Sequence, residues 1–275
     1  MSTKNNIFKK GSTTYYTSSI FFPRSIRKDV FTLYAFVRTA DDLVDSVPQK
    51  KKEFLDFKNK TLLALRGKKS GYEVIDDFVD LYNNKKFRES WVVAFLSAME
   101  SDLKRTKCKS LVDTYAYIYG SAEVIGLFMA KIMNLKKSSY KHAMLLGKAM
   151  QYINFIRDIN QDAKMNRSYL PLDEAKISGL KNLDFDTIND ERNAEAFDSF
   201  LLAQLNRFFE LDSGARKGFG YIRSDCLVPI MTAQDMFVWT AKKIKKNPRI
   251  VLRKQVKPGK HLIMFKLLVN YFRGE

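Results

Sequence analysis

The chain has 275 residues, of which 48 are Lys or Arg and 30 are Asp or Glu, for a formal net charge of +18. Two cysteines, Cys108 and Cys226, and two histidines, His142 and His261, are too few for a disulfide framework, a cysteine-rich metal centre or a histidine-ligated zinc, so any metal is expected to be held by oxygen. No run of about eighteen apolar residues suggests a membrane span, the opening MSTKNNIFKKGSTTYY lacks the apolar stretch of a secretion signal, and the expected setting is cytoplasmic.

Apolar residues recur at three- and four-residue spacing along most of the chain, and alternating patterns bounded by turn residues are scarce, so the expected class is all-α in one domain over 1–275. The spacing predicts helices over 12–22, 26–46, 50–66, 72–84, 88–106, 110–134, 138–163, 187–212, 225–246 and 259–272, with Gly and Pro at the joints and Pro229 starting or kinking the ninth. The first of these carries TSS at 17–19. The last two include a basic region: 242–275 holds eleven Lys or Arg against one acid, Glu275, which suits contact with lipid headgroups.

The helix at 26–46 carries DDLVD at 41–45. Residues at i, i+4, i+7 and i+11 share a helix stripe, and Tyr34, Arg38, Asp41 and Asp45 have that spacing. Carboxylates one turn apart on an enclosed face repel unless a cation offsets them, and hard divalent ions such as Mg²⁺ accept these ligands together with phosphate oxygens. A second copy, DDFVD at 76–80, continues into Lys69, Glu73, Asn83 and Asn84, the mixture of a solvated face, and is read as structural. The helix at 138–163 supplies a partner stripe, Gln151, Asn154, Asp158 and Asp162, while Met150, Ile153, Ile156 and Ile159 pack elsewhere. Two such helices facing each other would make one oxygen-rich site for Mg²⁺ and a diphosphate, with Arg38, Arg157, Lys164 and Arg167 near the phosphates.

Several stretches together resemble the squalene and phytoene synthase family: STTYYTSSIFFPRSIRKDVFTLYAFVRTADDLVD at 12–45, MESDL at 99–103, YAYIYGSAEVIG at 115–126 and QYINFIRDINQDAKMNRSYLP at 151–171. The resemblance implies an isoprenoid-synthase helical fold with a central cavity between two Asp-bearing helices. It implies Asp41 and Asp45, then Asn154, Asp158 and Asp162, as metal ligands, and Tyr34 and Tyr169 as further catalytic residues. Ser12, Arg38, Gln151, Arg157 and Arg167 match diphosphate-site positions. Tyr117, Ser121 and Gly126 match a substrate channel, and Arg253 corresponds to a C-terminal diphosphate-binding arginine across a shortened spacing. Gly11 and Phe237 depart from residues common in the family.

The implied reaction is a Mg²⁺-dependent (or Mn²⁺-dependent) head-to-head condensation of two prenyl diphosphates. Phe21, Phe22, Phe36 and Phe128 are candidate walls for its cations, or ordinary core. If Ser19 faces the tunnel, its small side chain favours geranylgeranyl diphosphate and phytoene over farnesyl diphosphate and squalene or dehydrosqualene. NADPH is expected only for a squalene synthase, and no Gly-rich dinucleotide motif is visible. Two other classes compete. A non-catalytic assembly factor of the same type would have lost aspartates that stand here, and a nucleic-acid binder would interleave basic and aromatic residues on one face, whereas these basic residues are scattered or confined to the C-terminal region.

Overall fold

The computed structural model describes residues 17–104 and 106–273. A helical turn at 17–19 precedes α1 (Arg24–Asp45), α2 (Lys51–Leu65), α3 (Glu73–Lys85) and α4 (Glu89–Asp102). The middle of the chain forms α5 (Leu111–Ile118), α6 (Val124–Ile132), α7 (Tyr140–Lys164), α8 (Leu172–Ile177) and α9 (Phe185–Asn189). The chain ends with α10 (Ala194–Arg216), α11 (Ser224–Lys246), α12 (Ile250–Arg253) and α13 (Lys260–Arg273). No β-strand occurs among the described residues, only an isolated bridge between Lys107 and Ser168. The fold is all-α, as the periodicity predicts.

Apolar burial explains how the long helices group. Phe36, Phe54, Phe57, Phe78, Phe95 and Phe128 close one cluster around α1 to α4 and α6, each contributing about 1.5–3 kcal/mol by leaving water. Phe36 and Phe78 stack with centroids 3.8 Å apart. Phe36 and Phe128 are therefore core rather than cavity wall, and Phe21, 46% exposed, lines neither of the two main cavities. A second cluster surrounds α7, whose Tyr152, Ile153, Ile156 and Ile159 are buried together with Phe200, Leu201 and Phe208 of α10.

The polar atoms inside that second cluster are paired. The Tyr152 hydroxyl donates to Gln204 Oε1 at 2.5 Å, Arg207 donates to the Tyr152 hydroxyl at 3.0 Å, and Arg207 grips Glu174 of α8 with both terminal nitrogens at 2.8 and 2.9 Å. A buried network of this kind holds only when every member is satisfied, so it sets the rotation of α7 against α8 and α10. Once that face is committed, the opposite stripe of α7 is turned to the interior of the fold.

One expected helix, 110–134, is divided. A reciprocal capping box, Ser110 Oγ accepting from the Asp113 amide and Asp113 Oδ2 accepting from the Ser110 amide, starts α5. A π turn at Tyr119–Glu123 then separates α5 from α6. A Cβ on Gly120 would lie 2.5 Å from the Ala94 carbonyl oxygen of α4, so this turn is pressed against its neighbour where no side chain fits. The extra residue in the turn re-aims α6, and such turns recur at functional sites. Hydrophobic period alone does not register a one-residue insertion, which is why the sequence pattern reads as one helix.

The short α8 and the four-residue α12 fall in stretches predicted as loop, being too short for periodicity to declare them, and the helix expected over 187–212 is broken, its start forming α9 and its main part beginning only at Ala194. Pro229 lies inside α11. DDFVD sits on α3, where Asp76 Oδ1 accepts from the Ser70 amide at 3.1 Å and the Ser70 hydroxyl at 2.7 Å, tying down the loop before the helix. None of its three aspartates lines either main cavity.

Helices α6 and α7 touch backbone to backbone. A Cβ on Gly126 would overlap the Ala143 carbonyl, and one on Gly147 would overlap the Ala122 carbonyl. Gly147→Val should therefore force the pair apart and destabilise the protein by about 2 kcal/mol or more, read as a lowered midpoint in thermal unfolding followed by circular dichroism.

Candidate active site

The inward stripes of α1 and α7 face one cavity of about 1000 Å³. From α1 come Tyr34, Arg38, Asp41, Asp42 and Asp45; from α7 come Gln151, Asn154, Asp158 and Asp162. Arg157, Arg167, Tyr169, Tyr117 and Ser121 complete the wall together with Asp102 at the end of α4 and the segment Gln255, Lys257 and Pro258. A second, apolar cavity of about 280 Å³ is lined by Phe22, Leu33, Ile125, Met129, Leu146 and Ile230, among others. Tyr34, Val37, Ser121, Gln151 and Asn154 belong to both walls, so the two spaces meet there.

Each outer carboxylate has a guanidinium partner. Arg38 reaches Asp41 at 2.8 Å and Asp42 at 2.5 Å, Arg167 reaches Asp45 at 2.5 Å while donating to the Val44 carbonyl at 2.8 Å, and Arg157 binds Asp158 through two bonds at 2.9 and 2.6 Å. Arg157 thus faces the cavity through Asp158. Gln255 adds a 2.8 Å bond to the same carboxylate.

This compensation is incomplete at Asp41 and does not extend to Asp162 or Asp102. Burial, and then the neighbouring Asp45, pushes Asp41 up to about 7 against the opposing pull of Arg38. Burial, and then Asp158, holds Asp162 well above the ordinary carboxylate range. Asp102 is also raised by burial, although it accepts from the Tyr117 hydroxyl at 2.6 Å and the Tyr169 hydroxyl at 2.7 Å, which pull the other way. Tyr169 stacks on Phe155 of α7 at 4.6 Å, which fixes the ring that presents its hydroxyl to Asp102.

Does this wall suit a divalent cation? Asn154 Oδ1 is buried with no hydrogen-bond partner in the structure, an oxygen available as a ligand on the α7 stripe one turn before Asp158. The oxygen-only donor set and the raised Asp41 and Asp162 fit a hard cation, which would offset the repulsion between neighbouring carboxylates. Among the described residues, however, no three Asp, Glu, His or Cys side chains converge closely enough to cage an ion unaided. The two motifs line one cavity without meeting at a point. Oxygens brought by water or by a phosphate ligand would have to complete the coordination, as is usual for Mg²⁺.

Other residues singled out from the sequence are divided between the two cavities and the surface. Gly126 and Ser19 line the apolar cavity, as does Phe22, and Phe237 lines the polar one. The Ser121 hydroxyl is buried without a hydrogen-bond partner where the two spaces meet. Arg253, expected at the diphosphate, is exposed at the end of α12 and lies on neither wall; Lys257, on the extended segment that follows α12, lines the polar wall. Lys164 is likewise absent from the wall and lies over the Phe185 ring at 5.3 Å. Ser12 and Gly11 fall outside the described residues.

Asp102, Gln255 and Lys257 are among the wall residues that stripe reasoning missed. Asp102 carried a signal within MESDL, whereas Lys257 is indistinguishable in sequence from the rest of a basic tail.

The family model described as squalene/phytoene synthase matches residues 8–261. The chain belongs to this family. It is 25% identical over 276 residues to a chloroplastic phytoene synthase of Daucus carota, covering 95% of this chain and 67% of that protein. It is 28% identical over 191 residues to a 15-cis-phytoene synthase of a Paracoccus strain, covering 65% of this chain and 62% of that protein. The chain thus spans roughly two thirds of the length of these curated relatives. Its fold is similar to that of a crystallised dehydrosqualene synthase, with a TM-score of 0.88 at 20% identity over 99% of this chain and 96% of that one. It is also similar to a squalene synthase from Alicyclobacillus acidocaldarius, with a TM-score of 0.76 at 16% identity over 88% of this chain and 92% of that one.

The raised Asp41 gives a test of the cavity's electrostatics. A carboxyl whose folded pKa lies above its unfolded value costs stability as pH rises from the ordinary 3.8 to about 7, and the cost is complete above that. The Asp41 side chain keeps 35% of its surface exposed, so solvent tempers the effect. In chelator, Asp41→Asn should melt above the parent protein at about pH 8 and level with it at about pH 4, with Arg38 still held by Asp42.

Proposed function

We propose that the protein condenses two molecules of geranylgeranyl diphosphate head to head, through a cyclopropylcarbinyl diphosphate, to phytoene. The observation that carries this reading is the junction of the two cavities: a charged space lined by carboxylates and guanidiniums meets an apolar one across Tyr34, Val37, Ser121, Gln151 and Asn154. That arrangement suits an amphiphile with a diphosphate head and a hydrocarbon tail. The names of the relatives support phytoene as product, and the small Ser18 and Ser19 on the apolar wall support the longer chain.

The head group is bound by Arg38, Arg157, Arg167 and Lys257, whose charges face the polar cavity and favour the departing diphosphate more than the intact ester. Partial desolvation at the cavity mouth, then the nearby Arg157, lowers the pKa of Lys257, which otherwise remains exposed. Asp41, Asp45, Asn154, Asp158 and Asp162 are the residues that would hold Mg²⁺, or Mn²⁺ in its place, which when bound draws electron density from the leaving group. The arginines now paired with Asp41, Asp45 and Asp158 are then free to exchange carboxylate for phosphate oxygens, which present similar geometry to a guanidinium.

Loss of the diphosphate breaks the C1–O bond of one chain, and the allylic cation is attacked by the double bond of the second chain. The apolar wall excludes water that would otherwise capture the cation. Tyr34 is positioned between head and tail, and its phenol, pushed up to about 12 chiefly by burial, keeps its proton and serves as a hydrogen-bond donor. Tyr169 and Tyr117 act through Asp102, to which both hydroxyls are committed, so neither is a free proton shuttle. Formation of phytoene ends in loss of a proton and requires no hydride. NADPH enters only if the product is squalene.

Incubating the purified protein and Mg²⁺ separately with farnesyl and geranylgeranyl diphosphate, each with and without NADPH, should yield phytoene from the longer substrate alone. Hydrocarbon from farnesyl diphosphate alone would overturn the chain-length assignment. Asp158→Ala should lower turnover by about a thousandfold or more, as should chelation of the metal, while Asp76→Ala stays within about twofold of the parent. Lys257→Ala should raise KM for the diphosphate by about tenfold and Arg253→Ala should leave it unchanged, which steady-state kinetics would check.

A further inference from the structure

The last helix, α13, buries only one side. Ile263, Leu267 and Asn270 are buried, and Ile263 and Leu267 pack with Met236 of α11. Met264, Phe265, Leu268, Tyr271 and Phe272 remain 43%, 60%, 58%, 56% and 71% exposed. At 100° per residue these five fall within about 120° of arc, so they form one continuous apolar stripe along the helix rather than scattered surface residues. Stripes of this size on an otherwise soluble surface mark a contact site.

Charge decides what the contact is. From Lys242 to Arg273 there are eleven Lys or Arg and no Asp or Glu. Lys254, Lys257 and Lys260, which lead into the helix, are all exposed. A second copy of the chain pairing through the same stripe would set like-charged segments against each other, since a two-fold interface brings each surface onto itself. An anionic lipid surface accepts both features at once: aromatic and aliphatic side chains enter the headgroup boundary, and the surrounding lysines meet the negative potential. No described helix is long and apolar enough to cross a membrane, so the contact is one of lying on the surface.

We infer that α13 is a peripheral membrane-docking helix whose apolar stripe inserts into the headgroup region of an anionic bilayer. The docking is coupled by position to the polar cavity. Lys257 and Pro258, on the cavity wall, immediately precede α13, and Met236, which α13 covers, lines the same cavity from α11. A bilayer-bound α13 thus holds the wall of the charged cavity close to the lipid. The inference does not require the proposed prenyl reaction. It rests on the exposed stripe and its charge.

The test is sedimentation of the full chain with vesicles of phosphatidylcholine alone or of phosphatidylcholine mixed with phosphatidylglycerol. The parent protein should bind the mixed vesicles, bind the neutral ones weakly, and release from the former as salt is raised. Phe265→Gln combined with Leu268→Gln and Phe272→Gln should weaken binding to the mixed vesicles by more than about tenfold, with an unchanged helical circular-dichroism signal and unchanged turnover of detergent-dispersed substrate. Equal vesicle binding by parent and variant would overturn the inference. So would a parent that ignores both vesicles but runs as a dimer that the variant abolishes, which would assign the stripe to a second copy.

Discussion

Everything in the centre of this protein depends on one electrostatic constraint: aspartates from two helices are gathered around one partly enclosed space. Asp41, Asp45, Asp102, Asp158 and Asp162 face it, and the protein compensates them with three arginines, each bonded to one of these carboxylates. The compensation is incomplete, which is why Asp41 and Asp162 are held above the ordinary carboxylate range. An arrangement that costs stability in this way persists where the residual negative potential is used, and the use proposed for it is to bind cations and the phosphates that come with them.

The rest of the fold is the scaffold for that constraint. The Tyr152, Gln204, Arg207 and Glu174 network locks the outer face of α7, and the phenylalanine cluster locks α1 from behind, so the two stripes cannot rotate away from each other. Close backbone contacts at Gly126 and Gly147 then leave an apolar space beside the charged one instead of filling it with side chains. Charged head space and dry tail space share residues, and that continuity suits the prenyl diphosphate proposed as ligand.

Much of this was legible in the residues. The 3.6-residue period placed α1, α2, α3, α7 and α11 to within a few positions, though it ran α5 into α6 and started α10 seven residues early, and stripe arithmetic separated the cavity-facing DDLVD from the loop-capping DDFVD through the company each keeps. Illegible were features that depend on contacts distant in sequence. Phe36 and Phe128 are apolar whichever side they face, and only the packing of α3 against α1 shows them to be core. Arg253 and Lys257 are equally basic, and only the course of the extended segment after α12 brings the later one to the wall. Asp102 became visible as a site residue only when two tyrosines from other segments were seen to donate to it.

The sequence by itself determined the helical class, the two oxygen-rich stripes and the absence of any thiol- or imidazole-rich metal site, because each depends only on residue type and local period. The tertiary structure alone decided that the stripes line one cavity without forming a closed cage among the described residues, that Arg38 and Arg167 pair with Asp41 and Asp45, and that α13 turns an apolar stripe outward. Those facts turn on which of a helix's faces meets a neighbour. A repeat of 3.6 residues defines the faces, but only the burial of the whole chain selects the one that is covered.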